Sequence, residues 1–376
     1  MAALPRGCIA PDVSRAPRTI PLFSGDRFEP SAHLSGDSLA SGRTTKMYEA
    51  MTHPSRSRPA VSPSIRIGAL ERRTVQGGGA EEAEDAVRSS WDPAGHFPCL
   101  TGSSPSLDDG AEIYPESFTA MIISDLLMGR PGMHDLVDEI LTMLQQELQQ
   151  GEGLFYFFKE HDRLPADADC TALGLSVMLR GGCMVQKHAH RALDLILENL
   201  NEEGIVTTYF DPAGERAGIV DPVVCCNVLY LAHQLGRGDE LRETSRYVRD
   251  VLVGGRYLDG TRYYHSPDAL LFFAARLAQQ LESTDGLSEP LRDILEKRTT
   301  NGRTLEVAAR MIASEWLDVH RGDLVQSLMN MQLENGQWPA DSLFRYGRRA
   351  IFFGSTALSS AFALRALQSQ VCPSRP

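Results

Sequence analysis

No two cysteines of this chain stand in a Cys-x-x-Cys pair. The seven cysteines are odd in number and scattered. That excludes a disulfide framework and points to free thiols in a reducing compartment. No apolar run approaches the length of a membrane span, and the first residues lack the apolar core of a secretion signal. A cytoplasmic protein is expected. A basic excess is missing too, since the formal charge is -12 over 376 residues. Such an acidic balance argues against nucleic-acid binding. Strand signals are scarce. Beyond residue 115 no segment alternates convincingly, apart from a short apolar-aromatic stretch at 154–158.

What is present is helix. With 42% hydrophobic and 23% charged residues, most of the chain should fold. Residues 1–76 are the exception. They are rich in Ser, Pro, Arg and Gly without apolar periodicity, which predicts a disordered tail. Asp12, Asp26, Glu29 and Asp37 weigh against reading that tail as a transit peptide.

Residues 77–376 are expected to form one domain, with helices of two kinds in alternation. Segments 117–128, 167–179, 221–235, 266–281, 304–316 and 354–367 are apolar nearly all round, which marks buried helices. Segments 134–148, 187–200, 240–253, 289–297 and 323–332 are amphipathic and should cover them. Segment 80–91 could supply a sixth cover. The inner type recurs roughly every 40 to 55 residues, the sign of a helical-pair repeat. The spacing predicts an all-α fold, an (α/α)6 toroid, with an open superhelix as the structural alternative.

The stretch 164–175 concentrates the chemistry. Asp167 can cap the helix that follows, because its side chain can accept from an amide one turn on. Asp169 then falls in the first turn. A carboxyl group in apolar surroundings gains proton affinity, and a neighbouring carboxylate adds to it. Held neutral, it is a strong general acid. The plain alternative is an acidic N-cap with a second acid favoured by the helix dipole. Other inner-helix starts carry Asp221, Cys225, Cys226 and Asn227, then His265, Ser266 and Asp268, then Phe352, Phe353, Ser355 and Thr356. Polar groups converging over an apolar bore are the usual form of a ligand pocket.

These residues resemble a known family. Asp169-Cys170-Thr171-Ala172 matches the Asp-Cys-Thr-Ala core of oxidosqualene cyclases. With Asp167 it also resembles the Asp-x-Asp-Asp-Thr-Ala motif of squalene-hopene and class II diterpene cyclases. The run from Gln332 through Gly336 to Trp338 is similar to the Gln-x3-Gly-x-Trp repeat of the same superfamily. The resemblance covers roughly residues 115–370. It implies protonation-initiated terpene cyclisation, with Asp169 as the acid and Asp167 tuning it. In oxidosqualene cyclases cysteines hydrogen-bond the acid, which implies such roles for Cys170 and for Cys225 or Cys226. Thiols are weak donors that can orient a neutral carboxyl. Carbocations need π faces, and 155–158, Tyr263, Tyr264, Phe272, Phe273, Phe352 and Phe353 offer them. Phe157, Tyr264 and Phe353 are expected to touch substrate, with Thr171 and Asn227 beside them.

The departures are informative. Cys170 replaces the third Asp of the bacterial motif, and the chain has room for one toroid where the usual class II cyclase has two. A more open pocket favours a farnesyl- or geranylgeranyl-sized diphosphate over squalene. Arg345 and Arg348, with Arg349, could hold a diphosphate beside a helix N-terminus. No resident metal is expected, though Mg²⁺ would accompany a diphosphate. The acidic run Glu81–Asp85 reads better as a dipole-favoured helix start. A closed-up site or a homodimer would complete a single toroid. Two rivals remain: a zinc-dependent prenyltransferase-like subunit using Asp221, Cys225 and His265, and a non-catalytic toroid that binds a lipid or a protein.

Overall fold

A computed structural model describes residues 78–113, 115–212, 214–281 and 286–371. The tail expected over 1–76 lies outside them. The chain enters through α1 (Gly78–Ser89) and two short strands, β1 (Leu100–Gly102) and β2 (Ala111–Glu112). Helices α2 (Phe118–Leu127), α3 (His134–Gln150), α4 (Ala168–Arg180), α5 (Gln186–Glu198), α6 (Pro222–Gln234) and α7 (Arg242–Val253) follow. Next come α8 (Pro267–Ala278), α9 (Ser288–Lys297), α10 (Thr304–Trp316) and α11 (Asp323–Met329). Strands β3 (Asp341–Arg345) and β4 (Phe352–Ser355) then lead into α12 (Thr356–Val371). No helix among the described residues is long and apolar enough to cross a membrane.

The alternation expected from the sequence is present. The even-numbered helices α2 to α10 are buried nearly all round. The odd ones bury a stripe, as Leu136, Val137, Ile140, Leu141 and Leu144 do on α3. Each even-numbered helix packs on the next, and α12 packs back on α2. Helices α3, α5, α7, α9 and α11 each lie against the helix before them, and α1 lies against α12. The core is therefore built by pairs whose order of contact closes on itself.

The all-α expectation needs correction. The fold is mostly helical, but it carries an antiparallel four-stranded sheet in the order β2-β1-β4-β3. Strand β1 pairs Thr101 with Phe353, joining the two ends of the domain. Strands β3 and β4 form a hairpin with a register shift between Ser342 and Phe344. Every residue of β4, and all but the last of β3, is buried. Burial on both faces removes the alternation by which a strand is read from sequence. Phe352 to Ser355, expected to open the last inner helix, belong to this hairpin instead.

Candidate active site

The site begins at the start of α4. Asp167 is extended backbone and accepts the Cys170 amide on its carboxylate at 2.7 Å, which is the expected cap. Its own amide donates to the Phe155 carbonyl, and Ala168 donates to Thr208. Thr171 Oγ1 accepts the Phe155 amide at 3.0 Å. Gly174, one turn on, leaves the Phe155 ring lying where a Cβ would stand. These contacts fasten 155–158 across the top of α4.

Asp169 follows in the first turn and is 8% exposed. Two groups hold its carboxyl. Asn227 Nδ2, from α6, donates to Oδ1 at 2.8 Å. The Tyr264 hydroxyl donates to Oδ2 at 2.5 Å. Burial pushes the Asp169 carboxyl up to about 7, the charge of Asp167 adds to the rise, and the bonds from Tyr264 and Asn227 oppose it. Burial also raises Asp167, to about 6. The Tyr264 phenol is pushed well above its ordinary range by burial and by Asp169. Near neutrality this is a pair of carboxyls that holds a proton.

Asp169 opens onto a narrow cavity of about 70 Å³. Its walls are aromatic. Phe344 meets Phe118 edge to face at 5.6 Å and Phe157 at 5.5 Å, and stacks on Phe353 at 5.8 Å. Phe158, Leu164 and Tyr264 complete the apolar lining. On the more exposed side stand Tyr263, Arg345 and Tyr346, with the buried Tyr209 beside them. Arg216 lies over the rings of Tyr209 and Tyr346, at 5.0 and 5.7 Å, and donates to the Tyr346 hydroxyl at 2.7 Å. Arg345 donates to the carbonyls of Thr261 and Arg262. Burial and the neighbouring Arg348 lower its proton affinity. The arrangement is an acid at one end, π faces along the wall and a cationic rim.

Residues 103–235 match the family described as the sesquiterpene cyclase astC-like C-terminal domain. The drimenol cyclase drtB of Aspergillus calidoustus is 35% identical over 211 residues, which is 55% of this chain and 38% of that protein. The chain thus spans about two-fifths of that relative's length. Among solved structures, the type II terpene cyclase MstE from Scytonema superposes with a TM-score of 0.57 at 15% identity, covering 78% of this chain and 98% of that one. A protein from Actinoplanes gives 0.61 at 15% identity, covering 78% and 99%. A variant of the Scytonema enzyme holding geranylgeranyl dihydroxybenzoate, its substrate, gives 0.57 at 16% identity over 77% and 95%. The chain resembles the class II terpene cyclases. The family match covers residues 103–235, and the likeness in fold covers 78% of the chain.

The structure sorts the residues singled out from sequence. Asp167, Asp169, Cys170, Phe157, Tyr264, Phe353 and Arg345 line the cavity. Thr171 and Asn227 do not. Thr171 holds the Phe155 segment, and Asn227 stands behind the acid. The thiols are also corrected. Cys170 gives both its amide and its thiol to Asp167 and not to Asp169, and the Cys225 thiol lies toward the Val206 carbonyl, at 4.0 Å. The acid's partners are an amide and a phenol. Arg348 is exposed and does not line the cavity, though its charge is felt by Arg345. The zinc set does not assemble. Asp221 accepts from Val223 and Tyr263, while His265 bonds Ser342. Among the described residues no three His, Cys, Asp or Glu side chains converge to hold a metal ion. Glu84, in the acidic run of α1, pairs with Arg130.

Phe118, Phe344, Tyr209, Tyr346 and Arg216 are site residues that sequence reasoning missed. Phe344 and Tyr346 flank Arg345, and that adjacency was the available signal. Tyr209 and Arg216 come from the irregular segment before α6, which has no periodicity to read.

Proposed function

We propose that this chain is a class II terpene cyclase acting on a linear prenyl diphosphate, within an (α/α)6 toroid formed by the closed order of helix pairs. The observation that carries the reading is the buried, proton-holding Asp169 at the wall of an aromatic cavity. Asp169 gives its proton to the distal double bond. The tertiary cation forms against the faces of Phe118, Phe157, Phe344 and Phe353, which stabilise charge without offering a nucleophile. Ring closure follows, and a proton is lost at the far end. The diphosphate is retained at the rim, where Arg216, Arg345 and Arg348 supply charge. Mg²⁺ would accompany the diphosphate as its counter-ion. A cavity of about 70 Å³ is below the roughly 300–1,000 Å³ of ordinary ligand pockets. Substrate must therefore displace some of Phe157, Phe344 and Tyr346. A C15 or C20 chain asks for less displacement than squalene does.

The test is incubation with farnesyl and geranylgeranyl diphosphates and with squalene, followed by dephosphorylation and GC–MS. One short diphosphate should give a cyclic product and squalene none. The rate should also report the acid. Only protonated Asp169 can start the reaction, so kcat is flat below about pH 7 and falls about tenfold per pH unit above it. A kcat that rises from pH 7 to 9 contradicts Asp169 as the acid.

A further inference from the structure

Behind Asp169 a line of donors runs away from the cavity. Asn227, on α6, is 1% exposed and gives its Nδ2 to Asp169. Its other amide atom, Oδ1, faces Arg276 of α8, whose guanidinium is 3.4 Å away. Arg276 is 3% exposed and is held on its remaining sides. It lies 3.6 Å from the ring centre of Tyr230, and its Nε donates to Asp125 of α2 at 2.8 Å. Arg180, at the end of α4, takes the same carboxylate. Asp125, Arg180, Tyr230 and Arg276 also line a separate, polar cavity of about 1,050 Å³ at the opposite ends of the inner helices.

Hydrogen-bond chemistry gives this line a direction. A guanidinium can only donate. The atom of Asn227 that faces Arg276 must therefore be its oxygen, and the atom that faces Asp169 must be its NH2. That NH2 also can only donate, so Asp169 Oδ1 is an acceptor. Oδ2 accepts as well, but from a hydroxyl that can also accept, so the oxygen with the donor-only partner is the carbonyl of the neutral acid and the proton is on Oδ2, beside Tyr264. Oδ2 accepts the phenol with one lone pair and can point its proton at the cavity.

We infer that Arg276, braced by Asp125, is a positioning residue that fixes the Asn227 amide and thereby places the transferable proton of Asp169 on Oδ2. The inference rests on the cyclase reading for its consequence in turnover, but not for its geometry. Without Arg276 the amide is free to turn. Its oxygen would then accept the acid's proton on the wrong side and stabilise the neutral acid. The groups that face Asp169 from the packed elements are Asp167, Cys170, Asp221, Cys225, Cys226, Asn227 and Tyr264, and the Arg276 and Asp125 substitutions change none of them.

The variant is Arg276→Met with Asp125→Leu, which removes the buried pair together and leaves only Arg180, whose side chain is 35% exposed, to be solvated. Arg276→Lys keeps a donor-only group and is the rescue control. Two readouts are taken, each in the native and in the Asn227→Leu background. The first uses substrate-free protein: the infrared titration of the Asp169 carboxyl, as a difference against the matching Asp169→Asn chain. The pair variant should raise the midpoint by about one pH unit, Arg276→Lys should restore it, and Asn227→Leu should abolish the effect. The second is turnover, where kcat should fall at least about tenfold with KM unchanged. An unmoved midpoint, or an equal shift with Leu at 227, overturns the inference, whether or not the chain cyclises any substrate. A shifted midpoint in a chain with no cyclic product from any substrate would support the placement of the proton and refute the cyclase reading.

Discussion

Asp169→Asn is expected to abolish cyclisation, by about 10³-fold or more, while making the folded chain more stable at pH 8. The loss follows from removing the buried acid at the cavity wall that burial holds protonated to about pH 7, above its neighbour Asp167 at about 6. The gain follows from linkage. A free aspartate releases its proton near pH 4, but the folded chain keeps it to about 7. Between those values the folded state binds more protons than the unfolded one, so stability falls as pH rises. Above about 7 the penalty is complete, of the order of 2–4 kcal/mol. An asparagine carries none of it and still meets Asn227 and Tyr264. Thermal unfolding at pH 5 and pH 8 checks this, beside the product assay. The variant's advantage should be larger at pH 8. An advantage that shrinks from pH 5 to pH 8 would show that the native carboxyl is not held protonated by burial.

Trp338→Ala is the second large effect, about 3–5 kcal/mol of stability. Trp338 is 1% exposed and is the largest of the fully buried side chains. Its indole donates to the Leu328 carbonyl of α11 at 2.8 Å, and its backbone amide donates to Ser360 Oγ of α12. Gln332 reaches back to the Gly336 carbonyl at 2.8 Å, closing the loop that presents the ring. Gly336 sits at φ +80°, where a side chain is strained. The motif is thus a clip between the last outer and the last inner helix, just ahead of the hairpin that brings Phe344 and Phe353 to the site. Denaturant unfolding measures the loss. Trp338→Phe, which drops the donor and leaves a smaller ring, should lose about 1–3 kcal/mol, less than the alanine variant. A loss under 1 kcal/mol for the alanine variant would remove this role.

The helix pairs were legible because their two hydrophobic patterns differ along the sequence. The cap at Asp167 was legible because a carboxylate precedes a small, apolar run with no turn between. The partners of Asp169 were not, since Asn227 and Tyr264 stand 58 and 95 residues away and only helix packing brings them near. The expectation that Cys225 would reach the acid fails on helix geometry. Two residues along a helix is a turn of about 200°, so with Asn227 facing Asp169, Cys225 faces away. The β3–β4 hairpin was hidden for another reason. Phe352, Phe353 and Phe344 are buried on both faces of the hairpin, so an apolar run there reads equally as the start of a buried helix. Four of the cavity's residues, Phe344, Arg345, Tyr346 and Phe353, ride on that hairpin.

The most direct test of the central claim is turnover in D₂O with the full chain and the short prenyl diphosphates. The Asp169 carboxyl exchanges with solvent. Protonation of the distal double bond then leaves one deuterium on the ring carbon beside the gem-dimethyl carbon, with the diphosphate still attached. That is the predicted result. A cyclic product without deuterium at that carbon, formed with release of diphosphate, would mean that ionisation and not Asp169 starts the reaction.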